Sequence, residues 1–436
     1  MQQQQEDNKK RKTAAAAADI DDQSHKKQKQ EEDTPMHPFF DKSRMTRLKW
    51  LTVLPTVLIT ITRTEGTVAA AGAGRAKVAA FDLDGTLIAT KSGRKFPKDS
   101  YDWRWWDKRI PNIIKELYDD GYRIVIFSNQ NGLNSKNREQ AFVKKMEDIL
   151  SQLPMPVVFM AAKAKDRYRK PMTGMWDWFE RECNHGTPVD KNQSFYVGDA
   201  AGREANWKPN EKKDHSTADR KFAANIGITF YTPEEFFLKE AKAPYNLGPF
   251  IPHEYPDSLP LFLPSSTPLV PVDNKAEVIV FVGYPASGKS SFAKRFLVPR
   301  GYVYVNQDTL KTKEKCVKAC AEALEQGKPV VIDNTNPEIS TRALYVDLAK
   351  KAGVPVRCFY FMADEHLAEH NNYYRAIFGN NESDAKRELL GKIAFRTFKS
   401  KLQPPTMAEG FDELKQINFV FEGDEEAQKN WKQWLV

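Results

Sequence analysis

Cysteine is scarce in this chain: 436 residues hold four, Cys183, Cys316, Cys320 and Cys358. A disulfide framework is excluded by so few, and no two pairs have the spacing of a zinc site, so the thiols suit a reducing compartment. Cys316 and Cys320 lie one helical turn apart and read as packing residues. Long apolar runs are also missing. The most apolar early stretch, residues 48–61, is broken by Pro55 and several threonines and is too short to cross a bilayer. Acidic charge is outweighed, with 58 Asp and Glu against 66 Lys and Arg, and the net charge of +8 favours a polyanionic partner. Core formers are nearly absent from residues 1–44 before Phe39, so burial there cannot offset chain entropy and disorder is expected. That tail does hold Lys9-Lys10-Arg11-Lys12 and Lys26-Lys27-Gln28-Lys29, spaced like a bipartite import signal, which makes the nucleus the expected location.

What is present begins with the apolar run Val78-Ala79-Ala80-Phe81, which leads into Asp82-Leu83-Asp84-Gly85-Thr86. A buried strand that delivers two aspartates two residues apart and then turns on a glycine aims both carboxylates at one point beyond its carboxyl end. Two like charges so close are costly without a cation. A hard divalent ion such as Mg2+ would neutralise them, leave one free to attack phosphorus and let the other handle a proton. Helix 110–119, strand 123–127, helix 136–150, strand 157–161, helix 175–181 and strand 194–197 alternate, which predicts a parallel sheet with helices on both faces and ligands at the strand carboxyl ends. Upstream, the alternating Val57-Leu58-Ile59-Thr60-Ile61 suggests a short antiparallel strand pair covering that sheet. Lys91, Arg94, Lys95 and Arg104 interleave with Trp103, Trp105 and Trp106, a mix that suits nucleic-acid phosphates and bases, although tryptophans equally suit a core. A charged loop over 208–220 holds Asp214 and Asp219, each placed either to support a metal or to sit in solvent. Thr232-Pro233-Glu234-Glu235-Phe236 reads as a capped short helix.

Residues 241–274 carry eight prolines and read as an extended connector between two units. Beyond it, strand 278–282 runs into Gly283-Tyr284-Pro285-Ala286-Ser287-Gly288-Lys289-Ser290, which has the spacing of a phosphate-binding loop. Backbone amides around Gly283, Ser287 and Gly288 would wrap the phosphates of ATP, Lys289 would reach the β- and γ-phosphates, and Ser290 would bind Mg2+. Strand 302–305 follows and ends in Asn306-Gln307-Asp308. With that strand expected beside the loop strand, Asp308 is placed to take a proton from a hydroxyl attacking the γ-phosphate; the rival role is a cap on a helix starting near Thr309. Arg342, Arg375, Arg387 and Arg396 lie in later helical stretches as candidates for a lid over the transferring group.

The Asp82–Thr86 string resembles the first motif of the haloacid dehalogenase superfamily, and Val125-Ile126-Phe127-Ser128-Asn129-Gln130, Arg169-Lys170-Pro171 and Phe195-Tyr196-Val197-Gly198-Asp199 follow in that family's order. The resemblance implies an aspartyl-phosphate formed on Asp82, Asp84 as acid/base, Ser128 and Asn129 as phosphate ligands, Lys170 as the clamp on nucleophile and phosphate, and Asp82, Asp84 and Asp199 around the metal. A phosphatase of this kind followed by a P-loop kinase resembles the bifunctional polynucleotide kinase 3′-phosphatases. The likeness runs over about residues 75–425 and includes Val197-Gly198-Asp199-Ala200-Ala201-Gly202-Arg203, Ile332-Asp333-Asn334-Thr335-Asn336-Pro337 and Pro404-Pro405-Thr406-Met407-Ala408-Glu409-Gly410-Phe411. It implies an enzyme that removes 3′-phosphates and phosphorylates 5′-hydroxyls at DNA ends with ATP and Mg2+, using Lys289, Ser290 and Asp308. RNA-end healing with the same sites and a catalytically silent end-binding scaffold are the alternatives. Animal members carry a forkhead-associated domain, for which residues 1–74 are too short, so repair scaffold or ligase proteins would be met by another route; Gln307 stands where those members lead one to expect arginine. The expected architecture is α/β, two parallel-sheet three-layer domains: a tail at 1–44, a haloacid dehalogenase-like phosphatase at 45–240, a linker at 241–274 and a P-loop kinase at 275–436. A monomer without membrane association is expected.

Overall fold

A computed structural model describes residues 48, 50–51, 53–62, 74–271, 275–379 and 388–436; the basic clusters of the tail and Arg387 lie outside them. The first half builds β1 (Trp50–Leu51), β2 (Val57–Ile61), β3 (Val78–Phe81), β4 (Ile88–Ala89), β5 (Arg104–Trp105), β6 (Arg123–Asn129), β7 (Val157–Ala162), β8 (Phe195–Val197) and β9 (Thr229–Tyr231). Seven of these form one sheet in the order β1-β2-β7-β6-β3-β8-β9, and β4 with β5 makes a separate hairpin. From β7 to β9 all neighbours are parallel. The β1–β2 pair is antiparallel, as expected, but it extends the sheet through β2–β7 rather than covering a face. Burial explains this: Leu58 enters the core on one face while Val57 and Ile59 enter the core on the other, which only a strand within a sheet can do. The same alternation holds at β3, where Ala79 and Phe81 face one core and Val78 and Ala80 the other. Each such fully buried Val, Ile or Phe contributes about 1.5–3 kcal/mol.

The second half adds β10 (Phe262–Leu263), β11 (Val278–Val282), β12 (Val303–Val305), β13 (Val330–Ile332), β14 (Val356–Phe361) and β15 (Glu413–Ile417). Their order is β10-β15-β14-β11-β13-β12, parallel except for β10. Two features differ from the sequence reading. The proline-rich connector is not wholly outside the kinase half, because Phe262–Leu263 pairs with β15 as an edge strand, a position in a sheet that tolerates nearby prolines. And β12 does not lie beside the loop strand β11, since β13 is inserted between them. Cores on both faces of this sheet complete the second three-layer unit, and Cys316, Cys320 and Cys358 are buried in one of them as free thiols.

Between β4 and β5 the basic side chains Lys91, Arg94 and Lys95 are exposed, as is Arg104. The tryptophans divide from them: Trp103 is buried in the core and Trp105 and Trp106 pack against it. Residues 218–220, read above as loop, open the helix Ala218–Ile226.

Candidate active sites

The carboxyl ends of β6, β3 and β8 are adjacent, so the three motifs that follow them converge. Asp82 leaves β3 with its N–H donating to Val197 O at 2.8 Å, which fixes it against β8. Lys170 is buried and its Nζ lies 2.6 Å from Asp82 Oδ1, 2.7 Å from Asp219 Oδ1, 2.8 Å from Phe127 O and 2.7 Å from Tyr196 Oη. An ammonium has three hydrogens for these four neighbours, and the Tyr196 hydroxyl donates in turn to Asp219 Oδ1 at 3.2 Å. Burial works against the Lys170 charge, but Asp219 and Asp82 outweigh it and hold its pKa above the ordinary value.

Asp82, Asp199 and Asp219 each offer a carboxylate oxygen, all within 4.8 Å of one another. Two glycines make that approach available. A Cβ on Gly85, whose φ is +82°, would sit 2.5 Å from Asp199 Oδ2, and one on Gly198 would sit 2.5 Å from Asp219 Cβ. Burial, with Asp219 and Asp84 adding to it against the pull of Lys170, pushes the Asp82 carboxyl up to about 7. Burial and the charges of Asp82 and Asp219 push Asp199 up as well. Three crowded carboxylates with one ammonium among them form an oxygen-only donor set that fits a hard divalent cation.

Asp84 stands apart from this group. Its half-exposed carboxylate accepts from Gln130 Nε2 at 2.6 Å and from the buried Lys145 Nζ at 3.3 Å, so the structure brings it beside the cluster without turning it in. Gln130 also donates to the buried Ser128 hydroxyl at 2.9 Å, tying acid and hydroxyl together. The Asn129 side chain accepts from Lys170 N and donates one amide hydrogen to Lys170 O, each at 3.0 Å, so it seats the lysine and keeps a second amide hydrogen for a phosphate oxygen. The two loop acids also separate: Asp219 joins the cluster, whereas Asp214 is buried against Arg203, accepting from its Nε at 2.9 Å and from its N at 2.9 Å. Tyr196, Gln130 and Lys145 are missed by the sequence reading, and Asp219 stays open in it between metal support and solvent, because no local spacing marks them; they meet the motifs only through the sheet order.

In the second half, Lys289 is buried and donates to Gly283 O at 3.0 Å, Tyr284 O at 2.6 Å and Ser287 Oγ at 3.3 Å, so the loop folds around its own lysine with Gly288 at the head of the helix Lys289–Phe292. Burial pulls the Lys289 pKa down to about 8, against the charge of Asp333. Ser290 Oγ donates to Asp333 Oδ2 at 2.6 Å, and that buried carboxylate also receives the Tyr304 hydroxyl and Asn306 Nδ2. Asp333 thus takes the place beside the loop strand that was expected for Asp308, because it ends the inserted β13. Asp308 itself is exposed in the first turn of the helix Gln307–Leu310, near enough to Lys289 to act on its charge. The helix cap is Asn306, whose Oδ1 accepts from Asp308 N at 2.9 Å and Thr309 N at 3.3 Å, so the rival capping role falls to the neighbour. Arg342 is removed from the lid candidates: it is fully buried, paired at 2.7 Å with each oxygen of Glu409 and bonded to Asn336 O and Pro337 O. Arg375, on the helix Glu365–Phe378, acts on the charge of Lys289, and Arg396 is exposed on the helix Lys392–Lys401.

Two sites at the carboxyl ends of two sheets, one an aspartate beside a buried lysine and one a phosphate-binding loop, define a two-domain phosphoryl-transfer enzyme. Comparison with known proteins agrees half by half. Residues 77–237 match the family described as polynucleotide kinase 3 phosphatase, and residues 278–405 the one described as AAA domain. The chain is 44% identical over 363 residues to the bifunctional polynucleotide phosphatase/kinase of Schizosaccharomyces pombe, covering 82% of this chain and 83% of that protein. It therefore belongs to the family of bifunctional polynucleotide phosphatase/kinases. It is also 30% identical over 214 residues to the polynucleotide 3′-phosphatase of Saccharomyces cerevisiae, 37% of this chain and 87% of that protein. The Arabidopsis thaliana polynucleotide 3′-phosphatase ZDP is 38% identical over 183 residues, 38% of this chain and 25% of that protein.

Proposed function

We propose that this enzyme prepares broken DNA strands for ligation, hydrolysing 3′-phosphates at the first site and transferring the γ-phosphate of ATP to 5′-hydroxyls at the second. The observation that carries the reading is the coexistence in one chain of a buried Asp82–Lys170 pair within a carboxylate cluster and a P-loop whose buried lysine feels the charge of an exposed Asp308. At the first site an Asp82 oxygen attacks phosphorus as the bond to the 3′-oxygen breaks, and Asp84 gives that oxygen its proton. Water then attacks the phosphoryl group on Asp82, Asp84 takes a proton from it, and inorganic phosphate leaves. Lys170 and the Ser128 hydroxyl hold the phosphoryl oxygens. At the second site Asp308 takes the proton of the 5′-hydroxyl while Lys289 steadies the β- and γ-phosphates, with Arg375 and Arg396 as the remaining described candidates for a lid. Mg2+ held by Asp82, Asp199 and Asp219 in the first site, and by Ser290 with Asp333 in the second, would supply charge neutralisation at the transferring group.

The basic clusters of the tail support a nuclear location, which deletion of residues 1–40 tests: the truncated enzyme should keep both activities and disperse into the cytoplasm, whereas unchanged nuclear enrichment would show the clusters to be a solvated tail. Substrate class is tested by offering matched DNA and RNA strands carrying 5′-hydroxyl and 3′-phosphate ends, with labelled ATP. Processing of both DNA ends is expected. Processing of RNA alone would replace the repair reading with RNA-end healing, and processing of neither would leave an end-binding scaffold.

A further inference from the structure

The segment Gln433–Val436 follows the helix Glu425–Trp431 of the kinase half, yet apart from a Gln433 Nε2 donation back to Asn430 Oδ1 at 3.3 Å its hydrogen bonds among the described residues are to the phosphatase half. Gln433, Trp434 and Leu435 are buried. Asn225 lies on the helix Ala218–Ile226; its Nδ2 donates to Pro171 O at 2.8 Å and to Trp434 O at 2.9 Å, and its Oδ1 accepts from Trp434 N at 2.9 Å. Both amide hydrogens are thus used, one on each side of a seam. Gln433 Oε1 accepts from Thr173 N and Thr173 Oγ1, each at 3.4 Å, and Lys221 Nζ donates to Val436 O at 2.8 Å. The ring of Trp434 meets His253 of the connector edge-on, with centroids 4.8 Å apart.

The two phosphatase elements gripped in this way are the ones that carry the buried charges of the first site. Pro171 follows Lys170 directly, and the helix that holds Asn225 and Lys221 begins at Ala218, one residue before Asp219. Lys170 Nζ and Asp219 Oδ1 meet at 2.7 Å at the site, while Asn225 ties the same two elements together at their far side and Trp434 backs it. We infer that Gln433–Val436, acting through Asn225, is a positioning element of the phosphatase site, setting the spacing of Lys170 and Asp219 from the kinase half of the chain. This rests on the phosphatase reading of that site. Phosphoryl transfer at Asp82 depends on sub-ångström placement of the charges around it, and loss of the backing lets the helix and the Lys170 loop drift apart without removing any group that touches substrate. Among the described residues, the hydrogen bonds of Gln433–Val436 reach neither the P-loop nor Asp308, so the kinase site is insulated from the change.

The test uses the full chain, the variants Asn225→Ala and Asn225→Asp, and a deletion of residues 433–436. Release of phosphate from a 3′-phosphorylated strand is followed with kcat and KM separated, 5′-kinase turnover serves as internal control, and a thermal midpoint reports folding. Asn225→Asp keeps the acceptor for Trp434 N and loses both donations, so it should fail like the alanine variant. The expected result for all three is a phosphatase kcat lower by about ten- to a hundredfold, as for a displaced catalytic group, with KM and kinase turnover within about threefold of wild type. Unchanged phosphate release, a normal rate in Asn225→Asp, or equal loss of both activities in step with the thermal midpoint would each overturn the inference. Absence of phosphate release from the wild-type enzyme would instead refute the phosphatase reading itself, which keeps the two failures distinct.

Discussion

Asn306 and Asp308 divide between them the two roles open to a polar residue at a strand-to-helix turn. Because Asn306 already caps the helix, Asp308 has no capping bond to lose, and Asp308→Asn should leave fold and ATP binding intact while lowering kinase turnover by about a hundredfold or more, the scale of a lost general base. Turnover near wild type in that variant would place the base elsewhere. Asp219→Asn in the other half weakens both the cation site and the grip on Lys170, and phosphate release should fall by about ten- to a hundredfold with kinase turnover retained. At this scale the sequence was most legible in contiguous strings: Asp82, Ser128, Asp199 and Gly283–Ser290 stand at the carboxyl ends of strands that announce themselves, and Lys170 in the short string ahead of a helix. Tyr196, Gln130 and Lys145 are silent in the sequence, because their partners come from other strands and helices. The seating of Lys170 by the Asn129 amide is silent for a related reason, since nothing local shows that it engages the lysine 41 residues on.

The strands were largely evident as elements, from buried runs and the alternation with helices, but their order was not. Nothing in the run Val330-Val331-Ile332 says that it will lie between β11 and β12, and that insertion is what gives Asp333 to Ser290 and moves Asp308 one strand outward. Nor does the connector's proline spacing show that Phe262–Leu263 will join a sheet. Arg342 is the clearest element-level consequence. It clamps the segment at Asn336–Pro337 to Glu409, and Arg342→Ala would leave the buried Glu409 carboxylate without its cation, a loss of about 3–5 kcal/mol. Denaturant unfolding of the variant should show that loss in the kinase half. A kinase that keeps its stability but loses turnover would instead return Arg342 to the lid.

Across the whole molecule, the seam between the halves has a titratable group of its own. His370 donates through Nε2 to Trp431 O at 2.6 Å, just before the segment that grips the phosphatase half, and burial, with Lys221 adding to it, pulls its pKa from 6.5 to about 4. The unfolded imidazole takes a proton near 6.5 and the folded one resists until about 4. The stabilisation is complete above the first value and is lost as pH falls to the second, amounting to about 3 kcal/mol across that window. His370→Gln, which keeps a donor for Trp431 O, should flatten that part of the acid limb in a thermal-midpoint profile; an unchanged profile would assign the acid sensitivity to other groups. The central claim, two independent phosphoryl-transfer sites on one chain, is tested most directly by one end-processing assay on Asp82→Ala and Lys289→Ala, using a strand with both a 3′-phosphate and a 5′-hydroxyl. Asp82→Ala is expected to abolish 3′-phosphate release and keep 5′-phosphorylation, and Lys289→Ala to do the reverse, whereas loss of both reactions in either folded variant would contradict the account.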